Sequence, residues 1–104
     1  MYQFSLYQNM SENRHAYPFL VDIQNELLQA LTTRLVIPLT PRHLFDGKVP
    51  TSLCPSIQIE QGEFILMTQY MSSIPTSALS SPVGSLETFR TEIIQAVDLL
   101  ITGV

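Results

Sequence analysis

Acid–base and phosphate chemistry in this chain would have to come from Arg42 and His43, adjacent in sequence and followed closely by Asp46 and Gly47. A histidine supplies a proton shuttle near neutral pH and a neighbouring arginine supplies a phosphate clamp, the pairing an endoribonuclease groove needs. Arg34 is the remaining candidate to join them. The simpler alternative is two polar residues on a turn. Cys54 lies between Leu53 and Pro55, a setting for a packed, inert thiol rather than a nucleophile. With one cysteine and two histidines, no Cys-x-x-Cys or His-x-x-x-His spacing and no acidic cluster, the chain offers no metal site. The four glycines stand singly, so no phosphate-cradling loop is present. These residues imply neither a cofactor nor a catalytic centre. His15 reads as a surface residue in a polar loop. Asp22, between apolar neighbours, fits either a solvent-facing strand position or a hydrogen-bonded interior one.

Charge narrows the classes further. Five Lys and Arg stand against nine Asp and Glu, a formal net charge of −4, and the cations (Arg14, Arg34, Arg42, Lys48, Arg90) are scattered. Without a basic stripe, direct nucleic-acid binding is disfavoured. Hydrophobic residues make up 45% of the chain and charged residues 13%, too few charges to cover the surface of so small a domain. Burial of some apolar surface against another chain is therefore expected, and a homodimer is the simplest form of it. The 104 residues fit a single domain spanning 1–104. The opening Met-Tyr-Gln-Phe-Ser-Leu-Tyr lacks the basic start and apolar run of a signal peptide. No apolar run approaches the roughly 20 residues of a membrane span. A cytoplasmic location, where a lone thiol stays reduced, is the expectation.

The elements that must position these residues are mostly strands. Tyr2, Phe4 and Leu6 alternate with Gln3, Ser5 and Tyr7, the period of a half-buried strand. A polar loop follows from Gln8 to Ala16, and a second strand is expected over Tyr17–Gln24. Asn25 to Leu31 fits a helical turn, a loop or a strand continuation. Arg34 to Leu39 reads as a buried strand whose Pro38 marks an edge or bulge, because proline cannot donate to a ladder. Pro41 to Asp46 suggests a short turn. Ser56–Glu60 and Glu63–Tyr70 flank Gln61-Gly62, a hairpin signal. Met71 to Pro75 is a further extended piece, and Ser80 to Ser85 a polar linker. The period then changes. Leu86, Phe89, Ile93, Val97 and Leu100 recur at helical spacing, widened by Ile94 and Ile101, opposite a polar line of Glu87, Thr91, Gln95, Asp98 and Thr102. Ser85 is placed to cap this helix and Gly103 to stop it. Because the apolar stripe persists to Leu100 and Ile101, the helix end is expected to be packed. The pattern predicts a mainly β (α+β) domain, a small antiparallel β-barrel or sheet with one C-terminal α-helix.

In this order the pieces resemble the CcdB family of toxin–antitoxin gyrase poisons. The most specific blocks are Phe19-Leu20-Val21-Asp22-Ile23-Gln24, Val36-Ile37-Pro38-Leu39, and Met67-Thr68 leading to Met71-Ser72-Ser73-Ile74-Pro75, completed by a helix ending hydrophobic-x-Gly-hydrophobic. The resemblance covers essentially the whole chain. It implies an SH3-like antiparallel β-barrel of the CcdB/MazF/Kid type with a C-terminal helix, assembled as a symmetric homodimer and without enzymatic activity or cofactor. It also implies two protein partners: the A subunit of DNA gyrase, trapped on cleaved DNA, and a CcdA-like antitoxin that wraps the toxin with a segment disordered when free. The resemblance assigns gyrase contact to Thr102, Gly103 and Val104, with Leu27 and Asp98 near the same surface. Thr102 stands where the best-known plasmid toxin of the family has tryptophan, so ring stacking on a gyrase arginine, worth about 0.5–2 kcal/mol, is lost here. The alternatives on the same fold are an endoribonuclease toxin of the MazF/Kid kind, which would draw on Arg34, Arg42 and His43, and a homologue without toxicity.

Overall fold

The computed structural model describes residues 2–103. In chain order the strands are β1 (Ser5–Gln8), β2 (Phe19–Asp22), β3 (Thr33–Pro41), β4 (Ser56–Ile59), β5 (Gly62–Leu66), β6 (Ser72–Pro75) and β7 (Gly84–Ser85), followed by the helix α1 (Arg90–Thr102). All pairings are antiparallel, in the order β4-β5-β3-β2-β1-β7, with β6 also pairing β3. The sheet curls into a half-barrel with α1 as its C-terminal helix, the expected fold class.

Register explains where the core lies. Leu6, Val21 and Ile37 stand side by side across β1, β2 and β3, and Phe19, Leu39 and Leu66 do so across β2, β3 and β5. These rows share one face and form the main core with Phe4, Ile57, Phe64, Leu86 and Ile93. Phe19 and Phe64 meet edge to face at 5.2 Å, a favoured aromatic geometry. A smaller cluster of Cys54, Ile65 and Met67 lies beneath Tyr17, Phe45, Val49 and Leu53.

β3 is the spine of the sheet. Its β-branched run suits a buried strand, and Pro38 sits inside it rather than on an edge, which corrects the sequence expectation. β3 changes partner near this residue: Thr33–Val36 pair β6 and Leu39–Pro41 pair β5. The Pro38 carbonyl accepts from the Met67 N–H at 2.9 Å on that same side. The missing proline donor thus falls at the gap between two partner strands, where no ladder bond is forfeited.

Other boundaries shift for local reasons. The first strand begins at Ser5, not Tyr2, because Phe4 has φ 69° and the Ser5 N–H closes a turn on the Tyr2 carbonyl at 3.1 Å. Tyr7 is buried instead of half-exposed, so both faces of β1 are covered. The polar loop contains a 3₁₀ turn at Glu12–His15, Asn25–Leu31 contains one at Glu26–Leu28, and Pro41–Asp46 contains one at Arg42–Leu44. The hairpin loop is Glu60-Gln61, one residue earlier than expected, with Gly62 (φ 132°) opening β5 opposite Ile59. The linker carries β7, which pairs β1. Ser85 Oγ accepts from the Glu87 N–H at 3.2 Å, one residue ahead of Leu86, the N-cap of a 3₁₀ turn, Glu87–Phe89, that precedes α1; Ser85 therefore does not cap α1.

Candidate functional site: the end of α1 and the Leu27 turn

α1 buries Ile93 and Ala96 fully and leaves its last turn in solvent. Ile101 is 69% exposed, and Leu100 and Ile94 are also on the surface. The helix end is thus not packed within the protomer, contrary to the expectation drawn from the stripe. The polar line Thr91, Gln95, Asp98 and Thr102 is solvent-facing, as its spacing predicts. The Thr102 hydroxyl donates to the Asp98 carbonyl at 2.7 Å, one turn back, which ties the two residues together at the helix end. Gly103 closes the helix in the left-handed region (φ 74°), its N–H bonded to the Leu99 carbonyl at 2.9 Å. A Cβ at Gly103 would meet no atom within 4 Å, so the space over it is open. Val104, the last of the residues assigned to this end, lies outside the described residues.

Leu27 lies on a different element, the 3₁₀ turn Glu26–Leu28, and is 91% exposed. The Asn25 side chain caps the turn by accepting from the Leu27 N–H at 2.8 Å. Leu28 and Leu31 are also exposed, so three leucines stand together in solvent along one short loop. The principal packing neighbours of α1 are the turns Thr68–Tyr70 and Glu87–Phe89. The structure therefore groups Asp98, Thr102 and Gly103 at one helix end and carries Leu27 on a separate turn.

The ribonuclease constellation does not assemble. Arg34 is buried, its Nε donating to the Asp22 carboxylate at 2.8 Å with both side chains at most 1% exposed. Arg42 and His43 sit beyond the opposite end of β3, about 25 Å along an extended strand from Arg34. Asp22 is the interior residue of the two alternatives its sequence allowed. Cys54 is buried and its thiol donates to Gln69 Oε1 at 3.2 Å. Burial pushes its pKa up, which keeps it protonated at neutral pH and unreactive. Among the described residues, no group of three His, Cys, Asp or Glu is placed to hold a metal ion. No helix among them is long and apolar enough to cross a membrane.

Two features escaped sequence reasoning. One is a groove of about 680 Å³ on the sheet face opposite the core, floored by Leu20, Val36, Pro38 and Ile74 and walled by Tyr17 and Tyr70. One rim is the polar loop, stiffened by the Asn9 amide, which donates to Asn13 Oδ1 and to the Tyr17 carbonyl, both at 2.7 Å. The second feature, separate from the groove, is the buried network around Asp22, Gln24 and Arg34. Its only sequence signal was three polar residues in otherwise apolar strands. Arg34 Nη2 donates to the Gln24 carbonyl at 3.3 Å, and the Gln24 N–H donates to Asp22 Oδ1 at 2.9 Å.

A curled antiparallel half-barrel with a single C-terminal helix agrees with the fold class that the sequence resemblance implied. A sequence model of the CcdB family, described as CcdB protein, matches residues 3–103, nearly the whole chain. The chain belongs to the CcdB family, toxins of toxin–antitoxin pairs that act on gyrase.

Proposed function

We propose that this protein is the toxin of a type II toxin–antitoxin pair that acts as a cytoplasmic homodimer, binds the A subunit of DNA gyrase through the C-terminal end of α1, and traps the enzyme on cleaved DNA. It does so by binding alone, without catalysis or cofactor. The observation that carries this reading is the exposed helix end, where Asp98, Thr102 and Gly103 face solvent beside an unburied Ile101. Gly103 has no Cβ, so a partner backbone can approach closely. Val104 follows with an aliphatic side chain. Leu27 contributes an apolar contact from its turn.

A CcdA-like antitoxin segment is the proposed occupant of the groove beside the polar loop. A segment that is disordered when free must offset its ordering entropy with apolar contact, and the groove's Leu20, Val36, Pro38 and Ile74 offer it.

The test is a gyrase supercoiling and DNA-cleavage assay with the intact protein and with a variant lacking Thr102, Gly103 and Val104. The intact protein is expected to accumulate cleaved DNA. The truncated one should lose this activity while keeping its fold and its antitoxin binding. Trapping by the truncated protein at the wild-type concentration would refute the C-terminal contact. An intact protein that never traps gyrase, even at high excess, would refute gyrase as its target.

A further inference from the structure

Gln24 occupies a position that the gyrase-contact reading leaves unused. Its main chain is held by the buried ion pair: its N–H donates to Asp22 Oδ1 at 2.9 Å and its carbonyl accepts from Arg34 Nη2 at 3.3 Å. Its side chain then reaches two ways. Oε1 accepts from the Leu35 N–H on β3 at 3.1 Å, and Nε2 donates to the Leu28 carbonyl at 3.2 Å. Gln24 therefore connects the interior of the sheet to the turn that displays Leu27.

That turn has little to hold it otherwise. It is a single 3₁₀ turn of three residues without a buried side chain, too short to be stable by itself. Leu27, Leu28 and Leu31 are all in solvent. An untethered loop carrying three leucines gains by folding them back onto the protein surface. The Gln24–Leu28 bond and the Asn25 cap oppose this by fixing both ends of the turn.

We propose that Gln24 is a positioning residue for gyrase recognition, holding the Leu27 turn in its projecting conformation before the partner arrives. The proposal rests on the reading that Leu27 contacts gyrase. A pre-ordered contact loses less conformational entropy on binding, so the tether appears as affinity without touching the partner.

The test uses the full-length protein and gyrase A subunit binding, measured for Gln24→Glu, Leu27→Ala and the double variant. Glutamate keeps the acceptor for the Leu35 N–H but has no donor for the Leu28 carbonyl, so it cuts only the arm to the turn. Gln24→Met, of similar length and without either bond, is the second variant should the added charge disturb the fold. Gln24→Glu is expected to weaken gyrase binding about three- to tenfold, the worth of one lost hydrogen bond, and to speed amide exchange at the turn. In the Leu27→Ala background the same change should have no further effect. Equal weakening in both backgrounds would show a general structural defect and overturn the proposal, as would unchanged binding in Gln24→Glu and Gln24→Met alike. If Leu27→Ala alone leaves binding intact, the gyrase-contact reading of Leu27 fails first, and the positioning role falls with it.

Discussion

Arg34 and Asp22 show how much a buried charge decides at the scale of single residues. Two charges leave water at some cost, and their mutual attraction together with the bonds to Gln24 offsets it. Removing one partner strands the other. Arg34→Ala or Asp22→Ala is therefore expected to destabilise the fold by about 3–5 kcal/mol in chemical denaturation. Replacing both by apolar residues of similar volume should recover most of that loss. If the single variants cost no more than surface substitutions, the pair is not the anchor its burial indicates. Two further buried groups set a pH dependence. Burial raises the pKa of Cys54 above its ordinary 9.0, and burial, with the Asp22 charge adding to it, raises that of Tyr7 above 10.0. In each case the folded state holds its proton more tightly than the unfolded one. Their contribution is then fully present below pH 9 and is lost as pH rises through the folded values. Melting temperature should be unaffected by these groups near neutrality and fall above about pH 9, with the fall reduced in Cys54→Ala and Tyr7→Phe. An unchanged alkaline profile in both variants would contradict it.

At the scale of elements, glycine conformation separates the two ends of the chain's regular structure. Gly62 opens β5 at φ 132°, a region that residues with a Cβ rarely enter, and a Cβ there would meet nothing within 4 Å. Gly62→Ala should therefore cost about 1–3 kcal/mol through backbone strain alone, read as a lower melting temperature with no loss of compactness. A neutral result would mean the β4–β5 loop relaxes freely into another turn. The hairpin itself was legible in the sequence, because Gln61-Gly62 interrupts two apolar alternations. Its placement was one residue off, since the glycine serves the strand rather than the loop. The helix was legible from its period, and Gly103 from its position after the last periodic residue. The projecting Leu27 was assigned by resemblance alone, since no periodicity marks a single 3₁₀ turn. Pro38 misled because a local rule places a β-proline at an edge or a bulge, whereas the change of partner along β3 depends on contacts with β5 and β6, far away in sequence. The Asp22–Arg34 pair joins residues twelve positions apart, and nothing in a linear pattern tells a buried aspartate from an exposed one. The groove was equally invisible, being made by strands and turns that meet only after folding.

At the scale of the whole molecule, the thin charge cover becomes an argument about assembly. One protomer exposes 6207 Å², and on it Leu27, Leu28, Leu31, Leu44, Tyr70, Ile94, Leu100 and Ile101 remain in solvent. A stable dimer would bury on the order of 1,200–2,000 Å² in total, well within what this surface can supply. Ile94 and Ile101 are seven residues apart and so share one face of α1, flanking Asp98. Ile101, 69% exposed, contributes little to the protomer's own core, and Ile94, 36% exposed, sits at its margin, so charging both should cost the monomer no more than about 1–2 kcal/mol. If two copies of α1 pack near a two-fold axis, the same substitutions become costly, because each isologous contact is met twice. The intact protein is thus expected to scatter light as a particle of twice the 11.7 kDa chain mass at micromolar concentration. Ile94→Asp combined with Ile101→Asp should shift it to the mass of one chain with its circular dichroism unchanged. A wild-type protein that runs as a single chain would refute the dimer. A doubly substituted protein that remains a dimer would move the interface away from this face of α1 and leave Ile94 and Ile101 available to another partner.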